Sequence, residues 1–159
     1  MIMNFRMARA TDLETLNAIS LQSKAYWGYP MAWMEHWKDD LTLTEEAFAT
    51  DRVLVMELGH IIIGFSALKE ADKNYEIGHL WILPEYIGRG YGKKLLERTL
   101  RPITNQKPIR VEADPNAEPF YKSQGFVTVG QVASFPKGRF LPVMQKSHHS
   151  ANGIEQRES

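Results

Sequence analysis

Runs of apolar residues, some alternating with polar ones and some continuous, predict the β-strands of this chain. The runs cover residues 4–8, 52–58, 61–69, 73–83, 108–113, 126–133 and 140–146. Gly59 and His60 separate two of these runs, which is typical of a β-hairpin. Pro136, Lys137 and Gly138 predict a turn between the last two runs. The pattern therefore indicates a sheet built largely from consecutive antiparallel strands.

Apolar residues spaced three and four apart predict two helices after the first strand. The first is predicted over residues 12–23. Thr11 and Glu14 have the spacing of a capping box, in which each side chain would bond a backbone N–H group of the other residue. Pro30 predicts the first turn of the second helix, because proline is favoured at the first helical position.

Two further helices are predicted in the second half of the chain. One begins near Tyr91, directly after a glycine-rich turn, and carries an apolar face. The other is short. Asp114 is its predicted cap, Pro115 its first residue, and Gly125 the residue that ends it in the left-handed conformation.

The elements follow the order β-α-α-β-β-β-α-β-α-β-β, which predicts a mostly antiparallel sheet that turns parallel around the third helix. We expect an α/β or α+β architecture in one domain, because 159 residues suit a single core and no repeat or linker divides them. The domain is predicted over residues 1–146, and the polar residues 147–159 are expected to form a disordered tail. Ligands of such sheets bind where the strand order switches.

Composition and charge narrow the range of functions. Lysine and arginine number 19, as do aspartate and glutamate, so we expect neither nucleic acid nor an anionic membrane as a partner. The chain has no cysteine, which excludes disulfides, a thiolate nucleophile and cysteine-bound metal. His148 and His149 lie in the polar tail without further ligands, so no metal is predicted. No apolar run could span a bilayer and no signal peptide precedes the first polar residues, so we expect a cytoplasmic protein.

The glycine-rich turn between a strand and a helix carries the clearest chemistry. The strand ends at Pro84, and Gly88, Gly90 and Gly92 follow at alternate positions. Glycine permits positive φ and close backbone approach, and the helix N-terminus offers N–H groups to an anion such as a diphosphate. The spacing differs from that of dinucleotide-binding folds, and Lys94 stands where a Walker A loop needs serine or threonine. Without its context, the turn would be interpreted as a flexible loop.

The context of this turn, residues 78–92, resembles the acetyl-CoA-binding motif of the GCN5-related N-acetyltransferase (GNAT) family. The family pattern is Arg/Gln-x-x-Gly-x-Gly/Ala between a strand and a helix. Gly90 and Gly92 match its two small positions, whereas Ile87 stands where the family has arginine or glutamine. The whole resemblance extends over residues 5–146.

A second segment, residues 114–126, resembles the family pattern Asn-x-x-Ala/Pro-x-x-Phe-Tyr-x-x-x-Gly-Phe. In that family the asparagine contacts the pantetheine arm of coenzyme A, and the tyrosine protonates the departing thiolate. Carried over by position, these residues are Asn116 and Tyr121. The two segments stand in the order in which the family has them.

The resemblance implies the GNAT fold, a central mixed, mostly antiparallel twisted sheet of six to seven strands flanked by about four helices. It also implies an acetyl-CoA-dependent N-acetyltransferase. The acceptor would be a primary amine of a small molecule or peptide, attacking directly through a tetrahedral intermediate. The residues implied as cofactor-binding are Leu80, Trp81, Ile82, Leu83, Gly88, Arg89, Gly90, Tyr91, Gly92, Lys93, Asn116, Phe120 and Tyr121.

Two residues are the candidates for catalytic proton transfer. Tyr121 is the general acid that the resemblance implies, and a core tyrosine is the alternative. Glu76 faces the same side of its strand as Leu80 and resembles the family's water-mediated general base, with a salt-bridged strand glutamate as an equal alternative. His79 faces the opposite side and suits catalysis less. A backbone N–H between Leu80 and Ile82 would stabilise the oxyanion.

The acceptor pocket is expected beside the first two helices, which border the acceptor site in the family. Tyr26, Trp27, Tyr29 and Trp33 are its candidate walls, and packing of these rings into the core is the alternative. Aromatic walls would suit a cationic amine through cation–π contact. Two other functions stay open: a non-catalytic acyl-CoA-binding sensor or interaction module, and a nucleotide or phosphate-sugar binder. The sheet edges and the last hairpin would allow a homodimer.

Overall fold

The computed structural model describes residues 2–147 of the chain. Its strands and helices follow the predicted order. The strands are β1 Met3–Met7, β2 Arg52–Leu58, β3 Ile61–Glu70, β4 Tyr75–Ile82, β5 Ile109–Glu112, β6 Val127–Ala133 and β7 Phe140–Lys146. The helices are α1 Leu13–Ala25, α2 Met31–Leu41, α3 Ala47–Thr50, α4 Tyr91–Leu100 and α5 Glu118–Ser123.

The strands of residues 2–147 form one seven-stranded mixed sheet in the order β1-β2-β3-β4-β5-β7-β6. β2 pairs antiparallel with both β1 and β3, and β7 pairs antiparallel with both β5 and β6. β4 and β5 pair in parallel through three residue pairs, from Tyr75–Ile109 to Ile77–Val111. The predicted mixed, mostly antiparallel sheet is therefore confirmed. One helix was not predicted, α3, because four residues are too few to show a helical period.

One compact unit comprises residues 2–69 and 78–101. Its strand β2 buries side chains on both faces. Val53 and Val55 pack in a cluster with Leu16 of α1, whereas Leu54 and Met56 pack in a second cluster with Leu95 of α4. Because successive strand residues point to opposite faces, this strand is apolar throughout rather than alternating.

The other compact unit comprises residues 70–77 and 102–147. Its core contains Ile109 and Val111 of β5 and Met144 of β7, each of which is at most 4% exposed. The Lys107 ammonium donates a hydrogen bond to the carboxylate of Glu70, the last residue of β3, at 2.7 Å, and to the carbonyl of Ala71 in the following turn at 2.9 Å.

Two predicted details at helix starts differ from the structure. The expected capping box of Thr11 and Glu14 is replaced by an earlier one. Asp12 accepts a 2.7 Å hydrogen bond from the backbone N–H of Arg9, and the Arg6 guanidinium holds the same carboxylate at 2.9 Å. Pro30 is the residue before α2 rather than the first residue within it.

The predicted tail of residues 147–159, with its histidine pair, lies outside the described residues except for Ser147. Across the described part of the chain, no helix combines the length and apolarity that crossing a bilayer requires.

β3 and the end of β4 approach each other closely at Gly64. A Cβ atom placed on Gly64 would lie 2.5 Å from the Trp81 carbonyl oxygen and 2.7 Å from the Ile82 side chain. The Leu83 backbone N–H donates to the Ile63 carbonyl at 2.8 Å beside this point. Only glycine therefore fits here without moving the end of β4.

We predict that Gly64→Ala lowers the free energy of unfolding by about 1–3 kcal/mol, because the clash is with backbone that cannot swing away. Gly78→Ala is the matched control on β4, since its Cβ would meet only the Ala67 carbonyl at 3.9 Å. Urea unfolding of both variants measures the difference. Equal stabilities of the two variants would show that the approach at Gly64 is not a constraint.

Candidate functional site

Two of the three glycines in the glycine-rich turn have positive φ, whereas Gly92 lies within α4. Gly88 and Gly90 both have φ of +84°, in the left-handed region that favours glycine. α4 begins directly after Gly90, and the Lys94 N–H donates to the Gly90 carbonyl at 3.2 Å. The N–H groups of the three residues before Lys94 thus precede the first hydrogen bond within the helix. Together with the helix dipole they form an electropositive backbone surface.

Aromatic rings and one arginine surround this turn. The Arg89 guanidinium lies 5.6 Å from the centroid of the Tyr86 ring, and the Tyr86 and Tyr91 rings are 6.2 Å apart. Ile87 is 39% exposed. This chain therefore has an exposed apolar side chain at the position where the family has arginine or glutamine. Positive charge at the turn therefore comes from Arg89 and from the backbone, not from residue 87.

The end of β4 is held from its two faces. Leu80 and Ile82 pack with the cluster of α4, whereas Trp81 and Leu83 pack with the cluster of α1, which is the alternation that the sequence predicts. The hydroxyl of Ser23 in α1 donates to the Ile82 carbonyl at 2.9 Å. The backbone of β4 is thus fixed at the point where the chain enters the glycine turn.

His79 lies on the α1 face of β4 as a neutral imidazole. Its Nδ1 accepts a hydrogen bond from the Trp81 indole N–H at 2.9 Å, and its ring stacks on Phe65 with 5.7 Å between centroids. Burial lowers the pKa of His79 to about 4, although the charge of Asp51 opposes the shift. At neutral pH His79 therefore supports Trp81 and carries no charge.

Glu76 belongs to the second unit and is part of an ion pair. Its carboxylate accepts a hydrogen bond from the Arg110 guanidinium at 3.0 Å, and Arg110 also donates to Glu112 at 3.1 Å. The side chains of Glu76 and Arg110 are each 30% exposed. The pairing follows from the parallel register, which places the two residues side by side.

Tyr121 is a buried tyrosine on α5. It is 5% exposed, and its ring packs edge-on against Phe120 and Phe126. Burial raises the pKa of Tyr121 above its ordinary value of 10, so the phenol stays protonated. Among residues 2–147, no group forms a hydrogen bond with its hydroxyl. A buried hydroxyl without a partner is costly, and native proteins keep such groups rarely and for a reason.

The segment before Tyr121 folds as predicted. Asp114 precedes a short 3-10 turn that Pro115 opens, and its carboxylate accepts a 2.7 Å hydrogen bond from the Asn116 N–H. Gly125 follows α5 with φ of +93°, the left-handed conformation expected at a helix end. Asn116 itself is exposed.

The four candidate aromatic residues divide into two groups. Tyr26 and Trp27 pack edge-on against each other and are 51% and 43% exposed. Tyr29 and Trp33 instead pack with Trp37, with ring centroids 5.0 to 6.0 Å apart. The structure therefore brings Tyr29 and Trp33 together and leaves Tyr26 and Trp27 as a separate, exposed pair.

Lys24 is a residue of this region that the sequence interpretation missed. It is 7% exposed, and its ammonium lies 5.2 Å from the Tyr29 ring centroid and 4.9 Å from that of Trp37. A signal for it exists in the sequence. The buried positions of α1 are Leu16, Ile19, Ser20, Ser23 and Lys24, which is the spacing of one helical stripe. A search for apolar residues alone finds Leu16 and Ile19 but overlooks the buried polar residues that continue the stripe.

Residues 17–147 match the sequence model of the Acetyltransferase (GNAT) domain. The fold is similar to the crystal structure of PaiA N-acetyltransferase from Thermoplasma acidophilum in complex with coenzyme A. The TM-score is 0.74, with 23% identity over 92% of this chain and 99% of that one. A GCN5-related N-acetyltransferase from Rhodopseudomonas palustris gives a TM-score of 0.71, with 25% identity over 92% of this chain and 98% of that one.

Naa50 from Arabidopsis thaliana, in complex with the bisubstrate analogue CoA-Ac-MVNAL, is also similar. Its TM-score is 0.68, with 19% identity over 91% of this chain and 98% of that one. Among curated proteins, no sequence matches the chain.

We predict that His79 makes the fold sensitive to mild acid. The folded-state pKa is about 4 and the ordinary one 6.5, so the unfolded chain takes up the proton first as the pH falls. The free energy of unfolding should therefore drop between these two pH values, by about 2–3 kcal/mol from this residue. His79→Gln keeps an acceptor for Trp81 but does not titrate. Urea unfolding at pH 7 and pH 4 should show a smaller loss in that variant, and an equal loss would contradict the assignment.

Proposed function

The chain belongs to the GNAT acetyltransferase family, and we propose that it transfers the acetyl group of acetyl-CoA to a primary amine of a small molecule or peptide. Acetyl-CoA supplies the activated acetyl thioester. The amine nitrogen forms a bond to the acetyl carbon through a tetrahedral intermediate, the carbon–sulfur bond breaks, and the amine loses a proton while the thiolate gains one. The residues must therefore hold the thioester, stabilise the oxyanion and move two protons.

The observation that carries this proposal is the buried, unpartnered hydroxyl of Tyr121. A protonated phenol that nothing in the described chain satisfies is suited to donate to a ligand atom. Tyr121 also occupies the position at which the family has the tyrosine that protonates the thiolate. A phenol is protonated at neutral pH, and burial raises the pKa of Tyr121 further, so the residue carries the proton that a general acid donates.

The glycine turn is proposed to bind the diphosphate of coenzyme A. Backbone N–H groups at the start of α4 would donate to the phosphate oxygens, with Arg89 and Lys93 adding positive charge. The Ile87 side chain cannot donate a hydrogen bond, so backbone groups would do more of the binding here than in relatives with arginine or glutamine. A Cβ atom at Gly88 or Gly90 would meet open space, so the surface of the turn is free for a ligand. Glycine is required at both positions only by the left-handed backbone conformation.

The end of β4 is proposed to hold the acetyl group. A backbone N–H between Leu80 and Ile82 would donate to the oxyanion, and Leu83 would continue the contact with the cofactor. Support comes from the fixed backbone there, where Ser23 bonds the Ile82 carbonyl. A donor that is already in place costs no reorganisation during the reaction. Asn116 is proposed to contact the pantetheine arm, with Phe120 beside it.

Glu76 is proposed as the general base that takes the amine proton through water. Its carboxylate pairs with the Arg110 guanidinium at 3.0 Å, which holds the side chain in place. The side chain is still 30% exposed, so a water molecule can reach it. Tyr26, Trp27, Tyr29 and Trp33 are proposed to border the acceptor.

We expect acetyl-CoA to raise the melting temperature of the protein. We also expect the protein to release coenzyme A from acetyl-CoA when primary amines are added as a panel of acceptors. Free thiol is measured with a colorimetric disulfide reagent. ATP at equal concentration is the control for a general phosphate site, and a larger shift with ATP would favour a nucleotide binder. Binding of acetyl-CoA without turnover of any amine would favour a non-catalytic acyl-CoA sensor.

We predict that Tyr121→Phe lowers kcat by about a hundredfold and leaves acetyl-CoA affinity nearly unchanged. The free enzyme should not lose stability, because the change removes a hydroxyl that has no partner. Tyr75→Phe is the matched control, since Tyr75 is also buried but accepts a 2.9 Å hydrogen bond from Asn105. The control should lose stability and keep kcat. An unchanged kcat in Tyr121→Phe, together with a loss of stability, would show that Tyr121 is not the proton donor.

A further inference from the structure

Ser23 of α1 donates its hydroxyl to the backbone of β4 at the residue where the strand ends. The hydroxyl oxygen lies 2.9 Å from the Ile82 carbonyl oxygen. Ser23 is 5% exposed, so water competes little for this bond, and hydrogen bonds in such surroundings are stronger than those at the surface. Serine within a helix often bonds a carbonyl of its own helix one turn earlier, whereas this hydroxyl reaches a different element. The bond therefore connects α1 to β4.

The peptide group between Ile82 and Leu83 is held at both of its polar atoms. Ser23 donates to its carbonyl oxygen at 2.9 Å. Its N–H, which belongs to Leu83, donates to the Ile63 carbonyl of β3 at 2.8 Å. Because a peptide group is planar, contacts at both atoms fix the orientation of the whole plane. One of the two contacts is a side chain, and it can be removed without changing the backbone.

The preceding peptide group carries the Ile82 N–H, which is one of the proposed oxyanion donors. Its carbonyl, that of Trp81, lies against Gly64 of β3, where a Cβ atom would come within 2.5 Å of the oxygen. The two peptide planes meet at the Ile82 Cα atom, so a shift of the plane that Ser23 holds moves this atom and the donor with it. Among residues 2–147, the parallel pairing of β4 with β5 covers only Tyr75–Ile77, so that pairing does not restrain the donor.

We propose that Ser23 is a positioning residue for acetyl transfer, which keeps the backbone N–H at the end of β4 directed at the thioester oxygen. The inference rests on the proposed function, in which an N–H between Leu80 and Ile82 stabilises the oxyanion. A peptide plane that can tilt would lengthen the hydrogen bond to that oxygen. Because the negative charge develops only in the transition state, the tilt lowers the rate more than it weakens acetyl-CoA binding. Ser23 acts through the backbone and not on the reacting atoms.

Two serines of α1 allow a matched comparison. Ser23→Ala removes the hydroxyl and keeps the helix, because alanine has the highest helix propensity. Ser20→Ala is the control. Ser20 is fully buried, and its hydroxyl donates to the Leu41 carbonyl of α2 at 2.6 Å, so it bonds a backbone carbonyl outside α1 but not one of β4. Ser23→Thr is the conservative variant, which retains the hydroxyl.

Kinetics are measured with the amine of the panel that the wild type turns over fastest. Ser23→Ala should lower kcat about tenfold, less than the loss of an oxyanion donor itself costs, and should leave the Kd of acetyl-CoA within about twofold of the wild-type value. Ser20→Ala should lose at least as much in melting temperature and keep kcat, and Ser23→Thr should also keep kcat. A kcat of Ser23→Ala no lower than that of Ser20→Ala, or the same loss of kcat in Ser23→Thr, would overturn the proposal.

The infrared stretch of the thioester carbonyl, in acetyl-CoA isotope-labelled at that carbon, provides a readout that needs no amine. A hydrogen bond to the carbonyl oxygen lowers the stretching frequency, so acetyl-CoA bound to the wild type or to Ser20→Ala should absorb at a lower frequency than free acetyl-CoA. In Ser23→Ala the band should move back toward the free position. The same band position in Ser23→Ala and the wild type would overturn the inference about Ser23. Failure of the proposed function is recognised separately, because the wild type would then bind no acetyl-CoA or leave its band unshifted.

Discussion

The close approach of β3 to the end of β4 at Gly64 is the constraint on which the candidate site depends. A side chain there would displace the Trp81 carbonyl, and with it the strand that leads into the glycine turn. The same stretch is held by the Ser23 hydroxyl on the Ile82 carbonyl and by the indole of Trp81 on His79. Backbone donors can serve catalysis only when they are fixed in advance, and these contacts fix them.

Burial changes the properties of three side chains. Burial raises the pKa of the Tyr121 phenol, and the hydroxyl has no hydrogen-bond partner in the described chain. Burial keeps His79 neutral, so that the imidazole supports a neighbour and does not compete for protons. It also places the Lys24 ammonium on aromatic faces. In each case one ordinary side chain acquires its properties from the low polarity around it.

Local features were predictable from the sequence. The bounds of β2 and β7 agree with their apolar runs, and the Asp114 cap follows from an aspartate–proline pair. Of the three alternate glycines, Gly88 and Gly90 are left-handed, whereas Gly92 belongs to α4. These features depend on interactions between residues close in the chain. The GNAT resemblance supplied the fold as a whole, and the family match over residues 17–147 confirms it.

What the sequence could not give depends on contacts between distant residues. The ion pair of Glu76 with Arg110 needs the register of β4 on β5. The cap at Asp12 shifts because Arg6, on another element, takes the same carboxylate. The contact of Lys24 with the aromatic rings requires both α1 and α2. It could not be predicted from the sequence, because a lysine at the end of a helix is usually solvated.

The most direct test of the account is a crystal structure of the protein with coenzyme A bound. The account predicts that the thiol sulfur lies within hydrogen-bonding distance of the Tyr121 hydroxyl, which would then have the partner that the described chain does not provide. A thiol located away from Tyr121, with the hydroxyl still unpartnered or bonded to water alone, would contradict the assignment of Tyr121 as the proton donor.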